Sequence, residues 1–155
     1  MNNKSSINIL LADDDLDDCI FFQDALEELK QSKTLNIVHD GEQLMHNLKE
    51  AKNEMPKVLF LDLNMSRKNG FECLEEIKRD KKFKKIPVII FSTSYDEIIA
   101  DLLYKNGAHY YICKPAAFPN LKKIIGESLA LILKDKISQP PKVEFLLSNL
   151  KTMFQ

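Results

Sequence analysis

Apolar and polar positions follow two different rhythms along this chain. Five short stretches are largely apolar and bounded by polar residues: Ile9–Ala12, Leu35–Val38, Val58–Leu61, Val88–Phe91 and Tyr110–Cys113. Each has the length of a strand buried on both faces. Between them the apolar positions step by three or four. Cys19, Phe22, Leu26 and Leu29 form one such stripe, and Leu44, Leu48 and Ala51 a second. Phe71, Leu74 and Ile77 form a third, and Leu121, Ile125, Leu129 and Ile132 close the series. Ile98, Ile99, Leu102 and Leu103 mark a shorter helix over 96–105. The order strand–helix, repeated five times, predicts an α/β protein. Its strands run parallel, with right-handed crossovers and helices on both faces.

The pattern changes after Lys136. A linker at 137–141 ends in Pro140-Pro141, and a tail of 142–155 follows. In the tail Val143, Leu146, Leu147, Leu150, Met153 and Phe154 fall on one helical stripe. The reading is therefore a main domain of 1–136, the linker, and a C-terminal amphipathic helix over 142–155. A helix that short is marginal alone in water and must dock. Docking on its own domain is favoured over a homodimer or partner contact, because apolar helical stripes usually face a core.

Length and charge narrow the function. At 155 residues the chain is sized for one core. Its 22 basic and 23 acidic residues nearly cancel, so bulk electrostatics do not favour nucleic acid. Three cysteines without tight spacing read as reduced thiols, and no apolar run is long enough for a signal peptide or a membrane span. The expectation is a cytoplasmic protein. His39, His46 and His109 lack paired metal-ligand spacing. The cluster KRDKKFKK at 78–85 reads as a solvated loop.

Polar residues stand where four of the five strands end. Asp13, Asp14 and Asp15 follow the first, Asp62 the third, Ser92 and Thr93 the fourth, and Lys114-Pro115 the fifth. Ligands of open α/β sheets bind outside these carboxyl ends. Each residue also has an ordinary reading. The acids suit a helix N-terminus, Asp62 and Ser92 suit caps or turns, and Lys114 suits a loop. Their joint occurrence along one sheet edge favours chemistry. Converging carboxylates repel by about 4 kcal/mol at about 4 Å and an effective dielectric near 20. They call for a cation or for raised pKa values. Mg²⁺ takes one or two carboxylates and leaves room for phosphate. With a lysine, a hydroxyl and an aspartate able to form an acyl phosphate, the set suits phosphoryl transfer.

These residues resemble the receiver domain of two-component response regulators. The resemblance is carried by ILLADDD at 9–15, LFLDLNMSRKNG at 59–70, IPVIIFSTS at 86–94 and YYICKP at 110–115, and covers about residues 7 to 136. It implies a flavodoxin-like doubly wound (βα)5 sheet in the order 2-1-3-4-5, with the tail helix as an addition. By position, Asp62 matches the phosphoacceptor and Asp14 the direct Mg²⁺ ligand. Asp13 matches the acid acting through water, and Asn64 the residue whose backbone carbonyl completes the metal site. Ser92 matches the switch hydroxyl, Tyr111 the switch aromatic and Lys114 the lysine paired with the acids or the phosphoryl group. The Lys114–Pro115 bond is implied to be cis. Ser66 stands where the family often has proline, and Ala116 where an aromatic is common.

The resemblance implies a stand-alone response regulator. It would receive a phosphoryl group from a sensor histidine kinase or histidine phosphotransfer protein. It would self-phosphorylate and slowly dephosphorylate rather than turn over as an enzyme. It would signal by a switched surface to a downstream protein, without nucleic acid or membrane. The alternative is a pseudo-receiver that binds partners without phosphorylation. Its usual mark, loss of an acid, the hydroxyl or the lysine, is missing here. An aspartyl phosphohydrolase would put its nucleophile on the first strand. A flavin-binding relative would put a phosphate loop where Asp13–Asp15 would repel phosphate.

Overall fold

The fold rests on four strands whose side chains are buried on both faces of one sheet. In the computed structural model, residues 6–50, 54–135 and 138–147 are described. The chain order is β1 (Ile7–Ala12), α1 (Leu16–Glu27), β2 (Lys33–Val38), α2 (Gly41–Lys49), β3 (Val58–Leu61) and α3 (Gly70–Arg79). There follow β4 (Val88–Ser92), α4 (Glu97–Lys105), β5 (Tyr110–Cys113), α5 (Phe118–Asp135), a 3₁₀ turn (Lys142–Glu144) and β6 (Leu146–Leu147). The sheet is all parallel in the order β2-β1-β3-β4-β5-β6. The implied five-strand order is present and is extended by β6.

The period of two along each strand divides the core. Ile9, Leu11, Val58, Phe60, Ile89, Phe91 and Ile112 face one way, against α1 and α5. Leu10, Ala12, Leu59, Leu61, Val88, Ile90 and Tyr111 face the other, against α2, α3 and α4. Edge-to-face rings of Phe22, Phe60 and Phe91, with centroids 4.9–6.2 Å apart, lock α1 onto the first layer. Helix starts are set locally. The Asp15, Asp40 and Asp96 side chains cap α1, α2 and α4, and Asn69 with Glu72 forms a capping box on α3.

Two expectations are corrected. β2 is not buried on both faces: only Val38 is, and Thr34 and Asn36 are exposed. It lies at the sheet edge, where polar residues guard against further strand pairing. The tail is not α-helical over 142–147: a single 3₁₀ turn, Lys142–Glu144, leads into a strand. It forms a strap whose strand pairs with the free edge of β5, Tyr111 opposite Leu146 and Ile112 opposite Leu147. An unpaired sheet edge offers backbone hydrogen bonds that a short isolated helix cannot match. Tyr111 N–H donates to the Phe145 carbonyl at 2.9 Å. The Phe145 ring is buried between Tyr104 and Tyr111, at 5.3 and 6.2 Å. Leu146 and Leu147 pack into opposite layers, while Val143, counted in the helical stripe, is 83% exposed.

Polar contacts hold the strap's approach. Tyr104 Oη donates to the Pro140 carbonyl at 2.6 Å. Gln139 Nε2 donates to the carbonyls of Tyr104 and Ala108. Lys142 pairs with Asp101 at 2.8 Å. Residues 148–155, with Leu150, Met153 and Phe154 of the expected stripe, lie outside the described residues, as do Ala51 and Ile137.

Phe145→Ala empties the strap's buried aromatic anchor. It should lower the free energy of unfolding by about 3 kcal/mol, read as a lower guanidinium midpoint. An unchanged midpoint would show that the strap adds nothing to stability.

Candidate functional site

Four strand ends deliver the site, because all strands point the same way and stop at the same edge. β1 runs into Asp13 and Asp14, β3 into Asp62, β4 into Ser92, and β5 into Lys114. Carboxylate oxygens of Asp13, Asp14 and Asp62 all lie within 4.8 Å of one another. Asp13 and Asp62 are buried, whereas Asp14 is exposed at the rim. The Lys114 ammonium reaches over the group. It lies 2.7 Å from Asp13 Oδ2, 2.8 Å from Asp18 Oδ2 and 3.7 Å from Asp62 Oδ2. The ammonium lies over the Phe91 ring, 5.3 Å from its centroid.

Backbone groups orient these carboxylates. Asp13 Oδ1 accepts from the Asp15 N–H at 3.0 Å, and Asp62 Oδ1 from the Asn64 N–H at 3.4 Å. The His39 ring contacts the Asp13 carbonyl at 3.1 Å. The loop after Asp62 folds back tightly, with Gly70 N–H on the Leu63 carbonyl at 3.0 Å. A Cβ on Gly70 would sit 2.2 Å from the Asp62 carbonyl oxygen, so only glycine allows this approach. Arg67, the residue after Ser66, adopts φ 66°. A left-handed backbone costs an L-residue about 1–2 kcal/mol.

The charge balance shows in the proton affinities. Burial pushes the Asp62 carboxyl up to about 7, Lys114 opposes that shift, and Asp13 adds to it. Burial works to depress Lys114, but its hydrogen bonds to Asp13 and Asp18 hold it above the ordinary lysine range. The donor set is all oxygen, with two buried acids sharing one lysine. It fits a hard divalent cation, which would relieve the charge that lifts Asp62.

Ser92 and Tyr111 meet at Ser94. Ser92 is fully buried and its Oγ accepts from the Ser94 N–H at 3.4 Å. Tyr111 is buried as well, its hydroxyl donating to the Ser94 carbonyl, and burial pushes that phenol up to about 12. Its ring lies between Tyr95, at 5.3 Å, and Phe145 of the strap. Thus Asp13, Asp14, Asp62 and Lys114 converge, Asn64 touches them through its N–H, and Ser92 and Tyr111 form a second group around Ser94.

A family model described as the response regulator receiver domain matches residues 9–126. The chain belongs to this receiver-domain family. Receiver domains accept phosphoryl groups from kinases or phosphotransfer proteins in two-component signalling. Response regulator Rcp1 of Synechocystis sp. is 31% identical over 121 residues, 76% of this chain and 82% of that protein. A probable methanogenesis regulatory protein of Methanothrix harundinacea, FilR2, is 28% identical over 122 residues, 77% of this chain and 79% of that protein. The crystal structure of the phosphorylated cyanobacterial phytochrome response regulator RcpA superposes with a TM-score of 0.76. It shares 30% identity and covers 88% of this chain and 100% of that one. The Mn²⁺-bound form of Rcp1 gives 0.73 at 27% identity, covering 87% and 99%.

Two features of this receiver were not foreseen. Asp18, which the sequence reading does not single out, reaches Lys114 at 2.8 Å. The signal lay in its place on the first turn of α1, one position before the buried Cys19. The Lys114–Pro115 bond is also not cis: no cis peptide occurs among the described residues, and the bond keeps the intrinsically favoured trans isomer. No helix among the described residues is long and apolar enough to cross a membrane.

The raised Asp62 carboxyl implies a pH dependence in metal-free protein. Its folded value lies above its unfolded one, so the folded state holds the proton more tightly. The stability this gives is full below about pH 4 and is lost as pH rises through about 7. With a chelator present, Asp62→Asn should therefore flatten the fall in thermal midpoint between pH 5 and 8 (about one to two units either side of the transition). Parallel profiles for the two proteins would contradict the assignment.

Proposed function

We propose that Asp62 is the phosphoacceptor of this receiver and that the donor is the phosphohistidine of a sensor histidine kinase or a histidine phosphotransfer protein. The observation that carries this reading is the convergence of Asp13, Asp14 and Asp62 within 4.8 Å, under one buried lysine. Mg²⁺ would be held by Asp14, Asp62 and the Asn64 backbone carbonyl, with Asp13 acting through water. When bound, it supplies positive charge against the phosphoryl oxygens. The division of labour follows burial: Asp14 is exposed at the rim, whereas Asp13 is engaged by Lys114 and the Asp15 N–H.

In the transfer, a carboxylate oxygen of Asp62 attacks phosphorus as the phosphorus–nitrogen bond to histidine breaks. The imidazole leaves, and an acyl phosphate remains on Asp62. Lys114, 3.7 Å from Asp62, faces the oxygens that gain charge. Ser92 at the end of the adjacent β4 turns its hydroxyl toward the phosphoryl group. That motion would break its contact with the Ser94 N–H and let the Tyr111 ring shift in the space behind it. The product is a changed surface over α4 and β5, read by a downstream protein. Slow hydrolysis of the acyl phosphate resets the domain.

Intact mass after incubation with Mg²⁺ and acetyl phosphate tests this directly. Wild type should gain about 80 Da, one phosphoryl group, and the gain should vanish with Asp62→Asn or a chelator. No gain in folded, Mg²⁺-saturated protein would reject the phosphoacceptor and leave a phosphorylation-independent binding module.

A further inference from the structure

We infer that Asp18 is a positioning residue that holds the Lys114 ammonium back from Asp62 and so limits the rate at which Asp62 takes a phosphoryl group. The inference rests on the phosphoacceptor reading and deepens it.

The geometry is a competition for one cation. An ammonium has three protons. Two are claimed within hydrogen-bond distance, by Asp13 at 2.7 Å and Asp18 at 2.8 Å. Asp62, at 3.7 Å, lies outside that distance. The Lys114 side chain is largely buried, its ammonium over the Phe91 ring and within 3.7 Å of all three acids, so a short swing redistributes it among them. Whatever draws it toward Asp18 draws it away from the oxygens that must be neutralised during transfer.

The two competitors differ in kind. Asp13 is wholly buried and bound on its other oxygen by the Asp15 N–H. Losing its lysine would strand a charge in the core. The Asp18 side chain is 28% exposed, and water can solvate it once the pair opens. It is therefore the partner that Lys114 can leave, and it can be removed without orphaning a buried group. Its backbone N–H is held by the Asp15 cap, which fixes the side chain on the first turn of α1 facing the strand ends.

The test compares Asp18→Ala, Asp18→Glu and Asp17→Ala in the full chain, with Mg²⁺ and a range of phosphoramidate concentrations. Asp17 carries the same charge one residue away, is exposed, and takes no part in the Lys114 group. Its removal reports the general effect of deleting an acid near an anionic donor, which moves the half-saturating donor concentration. Asp18→Ala should in addition raise the saturating rate by roughly three- to ten-fold, because the freed ammonium closes on Asp62. Asp18→Glu, able to reach the ammonium again, should return that rate to wild type. If Asp18→Ala and Asp17→Ala change both constants alike, or if Asp18→Ala lowers the saturating rate, the positioning role is overturned. A wild type that takes up no phosphoryl group at all would instead overturn the phosphoacceptor reading, and this inference with it.

Discussion

One buried ammonium holds the functional end of this molecule together. Without Lys114, Asp13 and Asp62 would be two acids in the core with no counter-charge, and one would have to take up a proton. With it, Asp13 is fully engaged, while Asp62 is only partly compensated at 3.7 Å and keeps a raised proton affinity. That shortfall gives Asp62 its attraction for a cation or for anything that brings one.

The sheet makes this arrangement affordable in structural terms. Parallel strands buried on both faces cannot easily shift register, because a slip of one residue would exchange their two packed layers. Their carboxyl ends are consequently held to a narrow set of positions. Beyond the strands, Gly70 presses the loop after Asp62 against its own start. Asp62 is thus gripped from both sides in sequence, by β3 before it and the Gly70 turn after it.

The strap couples the far edge of the sheet to the same centre. Phe145 packs on Tyr111, Tyr111 donates to Ser94, and the Ser94 N–H is bonded to Ser92 beside the acids. A path of direct contacts therefore runs from the C-terminal segment to the strand end that faces Asp62. Lys142 with Asp101, and Gln139 with Tyr104 and Ala108, fasten the strap to α4 and the start of β5. The contacts describe adjacency, and they place the strap on the surface that a shift of Tyr111 would disturb.

Much of this was legible in the chain before folding was considered. Strand-length apolar runs and three-four stripes located five strands and five helices, since burial on a sheet and on a helix face imposes different periods. Placing Asp13, Asp14, Asp62, Ser92 and Lys114 together needed only the rule that parallel strands end at one edge. Asp18 escaped notice because a helix N-terminus explains an acid without any partner, and its reach to Lys114 crosses 96 positions. β2 looked fully buried because apolarity does not say whether a strand is central or at an edge. The tail misled for a sharper reason. Leu146 and Leu147 satisfy a helical stripe and a strand equally well, and local spacing cannot weigh a short helix against a vacant sheet edge. The sequence alone determined the alternation of strands and helices and which strand ends would carry charge. Only the tertiary structure decided which charges share a proton donor and which edge the tail completes, because both depend on partners brought together from distant parts of the chain.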